Sequence, residues 1–168
     1  MNNETVEKMK QMRLYGMQTA FKAFVEMPPP TAFTNDEMTE YLVQSEWDDR
    51  KHRSVQRNIK IAKFRYVADI AGIDYNPDRG LDKNQINRLT ACDFIKAGQD
   101  VFVTGSTGTG KSYIASAIGY QACLLGYKVL YASTAKLLSV LKMAKADGSH
   151  IRELAKIEKQ DLLILDDF

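Results

Sequence analysis

Cysteine and histidine are nearly missing from this sequence: two of each stand among 168 residues. Cys92 and Cys123 form no C-x-x-C pair, and neither has paired histidines beside it. That excludes a structural zinc site and a disulfide framework, and leaves both thiols as buried groups in a reducing compartment. Long apolar runs are missing too. No stretch approaches the roughly 20 residues that span a bilayer. The opening residues, Met1 to Glu7, have neither the basic start nor the apolar core of a secretory signal, so the expectation is a cytoplasmic protein without a membrane partner. Net charge is slight, +2 at pH 7, and selects no partner by itself. With 45% apolar and 26% charged residues, the composition is that of a soluble globular protein, long enough for one domain and an appendage.

What is present is a glycine-rich octet, Gly105-Ser106-Thr107-Gly108-Thr109-Gly110-Lys111-Ser112, which satisfies the pattern G-x-x-x-x-G-K-[ST]. Ordinary residue frequencies supply on the order of 0.005 such matches in a chain of this length. The glycines let the backbone turn so that successive N–H groups converge on a triphosphate. Lys111 then reaches the β- and γ-phosphates, and the Ser112 hydroxyl ligates Mg²⁺. Until phosphate arrives, Lys111 is expected to be a solvated cation. Context agrees with the motif. Asp100–Thr104 reads as a short buried strand, and Ser112–Leu125 as a helix stopped by Gly126, whose N-terminal dipole adds to phosphate binding.

A second chemical motif closes the chain. Leu162–Leu165 followed by Asp166 and Asp167 reads as a buried strand that delivers two carboxylates to the phosphate site. Asp166 suits Mg²⁺, through water, and Asp167 suits the orientation and polarisation of an attacking water. Lys111 and Asp167 are therefore the candidate catalytic residues, and Ser112 and Asp166 the candidate metal ligands.

Upstream, residues 4–25 have the apolar spacing of one amphipathic helix, ended by the stiff connector Pro28-Pro29-Pro30. Thr34 and Glu37 form a capping box for a second helix running to about Tyr66. Its later part carries Arg50, Lys51, Arg53, Arg57, Lys60, Lys63 and Arg65 with no acid after Asp49. A solvated face, an acidic protein partner and a stripe of DNA-phosphate contacts (Arg50, Arg53, Arg57, Lys60 and Lys63) all fit that asymmetry. Residues 68–80 read as a turn-rich linker, followed by helical segments at 82–89 and 90–97. Lys128–Ala132 reads as a second buried strand. Ser133 is placed to cap a helix with Leu137, Leu138, Leu141 and Met143 on its apolar side, and a short helix follows over 150–159.

Together these residues resemble the IstB-like ATPases, helpers of bacterial insertion sequences and relatives of the DnaC-type helicase loaders. The two nucleotide motifs occur in many ATPases. The family is marked by Glu46-Trp47 with the basic helix after it, by Gly80-Leu81-Asp82-Lys83, and by Cys92-Asp93-Phe94-Ile95. The resemblance implies an α/β P-loop NTPase of the AAA+ type, with a parallel sheet preceded by an all-helical N-terminal domain. It implies residues 1–67 for DNA or partner binding, 68–98 leading into the core, and 99–168 for the first part of the ATP-binding domain. It also implies ATP and Mg²⁺ as cofactors, and double-stranded DNA, a transposase or a replicative helicase, and further copies of the chain on DNA as partners. Family members continue past the acidic pair to a sensor residue and a trans-acting arginine, whereas this chain stops at Phe168. The resemblance therefore implies a core incomplete at its C-terminus, and supports ATP binding more firmly than hydrolysis. In the family's sheet order a further strand lies between Val101–Thr104 and Leu162–Leu165, so the 168-residue chain alone is expected to lack ATPase turnover. The rival readings are a DNA- or partner-binding module with an inert ATPase part, and a small-molecule P-loop kinase. The second is disfavoured by some 100 residues of charged helices ahead of the glycine loop.

Overall fold

In the computed structural model, which describes residues 3–27 and 33–167, the first amphipathic stretch is two helices rather than one. α1 (Asn3–Gln11) and α2 (Tyr15–Glu26) are separated by a turn in which Arg13 takes a left-handed φ of 60°. The Leu14 N–H returns to the Met9 carbonyl at 2.9 Å, closing the end of α1. The expected single helix over residues 4–25 is corrected: its apolar spacing is continuous, but the turn lets α1 pack on α2, and Val6, Gly16 and Ala20 are the buried residues of the two helices. The proline connector lies outside the described residues.

The capping box forms, with the Thr34 N–H on Glu37 Oε2 (2.8 Å) and the Glu37 N–H on Thr34 Oγ1 (3.3 Å). It opens α3 (Asn35–Ala62), which stops short of Tyr66 because Lys63 turns left-handed at φ 56°. Glu46, buried midway along α3, serves another helix. Its Oε2 accepts the Gly16 and Met17 N–H groups at 2.9 and 3.2 Å, satisfying free donors at the start of α2. A side chain at Gly16 would put Cβ 2.3 Å from the Ser45 carbonyl, so glycine is what allows this approach. The chain divides into two compact units, residues 1–54 and 55–168, with the boundary inside α3.

The second unit contains α4 (Lys83–Thr90), α5 (Asp93–Lys96), α6 (Lys111–Leu124), β1 (Val129–Ser133), α7 (Thr134–Ala146), α8 (His150–Glu158) and β2 (Leu162–Asp166). The strands pair in parallel, from Val129 opposite Leu162 to Ser133 opposite Asp166. Helix α6 is buried between two apolar clusters, which explains why its sequence is apolar on every side. On one side lie Ala68, Ile73 and Ile86; on the other, Ala62, Cys92 and Val129. Residues 68–80 thus enter the core through Ala68 and Ile73, around two 3-10 turns, Ile70–Gly72 and Pro77–Arg79. α6 ends in a Schellman motif, with Tyr127 N–H on the Ala122 carbonyl and Gly126 N–H on Cys123, both at 3.0 Å. The buried Asn58 amide ties the end of α3 to the same turn, donating to the Gly126 and Tyr127 carbonyls at 3.3 and 3.2 Å. Both cysteines are buried and free; burial pushes the Cys123 thiol up to about 11, and burial then Asp93 raise Cys92, so neither is a reactive thiolate.

Four local expectations are corrected. Asp100–Thr104 is not a strand: it pairs with no strand among the described residues, and Phe102 is 85% exposed. A strand exists only through its ladder partners, and the β-rich composition of this segment cannot supply one. β2 is not buried on both faces: Leu162 and Ile164 pack inward, whereas Leu163 and Leu165 remain more than a third exposed. On α7, Leu137, Leu141 and Ala144 face inward at helical spacing, while Leu138 and Met143 face solvent. Ser133 occupies the N-cap position of α7 without making a side-chain cap.

Candidate phosphate and cation site

The glycine octet forms the turn ahead of α6, and its conformation explains two of its glycines. Gly108 and Gly110 adopt φ of 83° and 88°, a region that residues with a Cβ rarely occupy. At Gly110 a Cβ would also stand 2.9 Å from Arg79 Nη2. α6 begins at Lys111, so its uncapped N–H groups and positive dipole end face the loop.

Lys111 is not the solvated cation expected from sequence. Its Nζ donates to the Gly105 and Ser106 carbonyls, both at 2.8 Å. The tight turn brings these acceptors within reach, and Thr109 Oγ1 donates to the same Ser106 carbonyl at 2.8 Å. The Lys111 ammonium is held by two backbone carbonyl oxygens of the turn.

The parallel register sets Asp166 opposite Ser133 at the ends of the two strands, beside the first turn of α6. Ser112 Oγ donates to Asp166 Oδ1 at 2.9 Å. Asp166 Oδ2 accepts from the Tyr131 hydroxyl and from Arg65 Nη1 (3.2 Å), and the Asp166 carbonyl accepts from Thr134 Oγ1 (3.1 Å). Burial works to raise the Asp166 pKa, but the hydrogen bonds from Tyr131, Ser112, the Asp167 backbone and Arg65 outweigh it, and the carboxyl is held below its ordinary value. The Tyr131 phenol is pushed up, first by burial and then by its bond to Asp166, and stays protonated. Asp167 follows with a left-handed φ of 54° and an exposed carboxylate, which accepts from Arg65 Nη1 at 3.3 Å.

The donor set fits a hard divalent cation. Ser112 Oγ and Asp166 Oδ1 are adjacent oxygens beside the glycine turn, and Mg²⁺ favours one or two such ligands with water and phosphate completing its shell. No cluster of three or more acidic, histidine or cysteine ligands occurs among the described residues, so no all-protein cage competes with that arrangement.

The structure thus brings Gly105 to Ser112, Asp166 and Asp167 into one site. The candidate DNA contacts are exposed positions along α3 and just beyond it. Arg50 and Arg53 are among those already engaged. Arg50 Nε pairs with Glu46 at 2.6 Å, while Arg53 pairs with Asp49 at 2.7 Å and lies over the Tyr15 ring at 5.1 Å. Sequence reasoning missed Arg65, Arg79 and Tyr131 as site residues. Arg79 braces the loop from outside, donating through Nη2 to the Thr109 carbonyl and through Nη1 to the Asp74 carbonyl, both at 2.9 Å. Tyr131 lies at an inward position of β1, which is the one signal that would have placed it near the acidic strand end.

No helix among the described residues is long and apolar enough to cross a membrane. Known proteins are similar to this chain over most of its length. A family model described as IstB-like ATP binding protein matches residues 7–168. A protein of Pseudomonas fluorescens, named for ATP binding in insertion sequence IS1162, is 36% identical over all of this chain and 73% of its own length. An insertion-sequence ATP-binding protein by name from Sinorhizobium fredii is 32% identical over 98% of this chain and 67% of its own. One from Geobacillus stearothermophilus, named for insertion sequence IS5376, is 26% identical over 94% and 62%. The glycine turn, the carboxylate beside it and these matches lead to one conclusion: the chain belongs to the IstB-like ATP-binding proteins of insertion sequences.

Proposed function

We propose that this protein is an ATP-binding helper of the AAA+ type that assembles as a homo-oligomer on double-stranded DNA in the cytoplasm and serves a transposase. A replicative helicase is the alternative client that the DnaC-type resemblance suggests. The observation that carries the nucleotide part is the Ser112–Asp166 hydrogen bond, which joins the two chemical motifs across 54 positions of sequence. In this reading the loop N–H groups from Gly105 to Ser112 bind the phosphates, and Lys111 leaves its two carbonyl partners to neutralise the β- and γ-oxygens. Ser112 and Asp166 would hold Mg²⁺, which when bound withdraws charge from the phosphates. Asp167, exposed at the strand end, would orient and polarise an attacking water. Support for the DNA part is the one-sided charge of Arg57, Lys60 and Lys63, with Arg50 and Arg53 upstream.

A non-enzymatic DNA- or partner-binding module remains the second reading, favoured by the absence of strand pairing at Asp100–Thr104 among the described residues. Calorimetric ATP titration with and without a DNA duplex separates the two. Micromolar ATP binding strengthened by DNA supports the helper, and DNA binding without ATP binding supports the module.

A further inference from the structure

Arg65 is a cation placed on the acidic pair by the chain's own turn. α3 ends at the fully buried Ala62, Lys63 reverses the backbone, and Phe64 packs edge-on to Tyr131 with ring centroids 6.2 Å apart. Gly119 leaves space for the Phe64 ring: a Cβ there would stand 2.7 Å from it. The backbone at position 65 is thus fixed from the core, while its side chain, half exposed, reaches Asp166 Oδ2 at 3.2 Å and Asp167 Oδ2 at 3.3 Å. One guanidinium nitrogen bridges both carboxylates.

We propose that Arg65 is an internal gate on the divalent-cation site, occupying the acidic pair until a metal displaces it. This rests on the reading of Ser112 and Asp166 as cation ligands. Asp166 divides its oxygens, Oδ1 toward Ser112 and Oδ2 toward Arg65 and Tyr131, so the guanidinium neutralises the carboxylate from the side away from Ser112. A divalent cation at Ser112 meets a pair whose two negative charges are half offset by one guanidinium, and like-charge repulsion from that guanidinium raises the concentration needed to fill the site. The bond is suited to displacement. Asp167 is 63% exposed and Arg65 50%, so that half of the bridge is weak and sensitive to salt, whereas the half to Asp166, 14% exposed, is the contact a metal must outcompete. The Tyr66 ring, 5.6 Å from the guanidinium, flanks it while it bridges the two carboxylates.

Mn²⁺ titration followed by electron paramagnetic resonance, without nucleotide, tests the gate on the full chain. Arg65→Ala is expected to bind Mn²⁺ about fivefold more tightly than wild type, a ratio that shrinks as salt rises. Adding Asp166→Asn to Arg65→Ala should abolish the gain. Mn²⁺ affinity that is unchanged or lower in Arg65→Ala overturns the gate and leaves Arg65 a structural clamp. If Arg65→Ala does not fold by circular dichroism, Arg65→Gln, which keeps a hydrogen-bond donor without the charge, decides by the same comparison. Failure of the nucleotide reading shows separately, as wild type that binds no ATP; the Mn²⁺ comparison stands without ATP.

Discussion

Ser112 Oγ and Asp166 Oδ1 lie 2.9 Å apart, one in the first turn of α6 and the other at the end of β2. That distance depends on how α6 packs over the strand. Gly119, on the same helix, would place a Cβ 2.6 Å from Ile164 Cδ1 and 2.7 Å from Phe64. Alanine in a helix normally gains about 1 kcal/mol over glycine, but overpacking a filled core costs about 1–3 kcal/mol. Gly119→Ala is therefore expected to lower the melting temperature and weaken ATP binding together. A thermal scan showing a more stable variant would mean that α6 can move off β2 freely.

Glu46 makes the helical arm sensitive to acid. Burial works to raise its pKa, but the Arg50 side chain and the Met17 and Gly16 N–H groups outweigh that and hold it below the ordinary value of 4.5. A carboxyl depressed by folding contributes stability above its unfolded pKa, and loses it as pH falls through the lower, folded one. Urea unfolding between pH 7 and pH 3 should show this loss in wild type. Glu46→Ala should be weaker by about 1–3 kcal/mol at pH 7, since the Gly16 N–H is left unpaired. It should also lose less on acidification, and an identical acid loss in both would assign the effect to other carboxyls.

How much of this was legible in the sequence follows from where the constraint lies. The loop and the acidic pair are written as fixed residue types at fixed spacing, because local backbone geometry and ligand chemistry demand them. The capping box of Thr34 and Glu37 is equally local. Arg13 and Lys63 end helices in left-handed conformations with no glycine to announce it, and the choice is made by packing. Arg65 and Tyr131 reach the site through that packing, so no short window of sequence contains the relationship. The strand expected at Asp100–Thr104 failed for the same reason, since pairing is a property of two segments. Leu138 and Met143 on α7 were misjudged because an apolar helix is legible as apolar, while the face it buries depends on its neighbours.

For DNA, the structure sharpens which basic residues to test. Arg50 and Arg53 already hold Glu46 and Asp49, so neutralising them should disturb the helical arm as much as any phosphate contact. Lys60→Gln with Lys63→Gln is the cleaner pair. If both touch phosphate, the salt dependence of duplex binding should flatten by about 1.8 log–log units, with little change in sequence preference. An unaltered slope in fluorescence anisotropy would place this face in solvent or against a protein.

Arg79 offers a test of loop bracing. Its guanidinium fixes the Thr109 carbonyl to the Asp74 turn, and Arg79→Ala frees both. ATP affinity is expected to fall about three- to tenfold, in line with about 1 kcal/mol for a hydrogen bond, with little change in Mg²⁺ dependence. Unchanged ATP affinity in a calorimetric titration would show that the loop holds its shape without the brace.

The central claim is that the glycine turn binds the phosphates of ATP and that Lys111 is the cation that meets them. Isothermal titration of ATP with Mg²⁺ into wild type and Lys111→Ala tests it most directly, with circular dichroism to show that both are folded. Wild type is expected to bind, and Lys111→Ala to lose affinity by about 100-fold or more, consistent with about 1.5–3 kcal/mol for each hydrogen bond to a charged group. Equal affinities in two folded proteins would contradict the phosphate-loop assignment and, with it, the reading of the site.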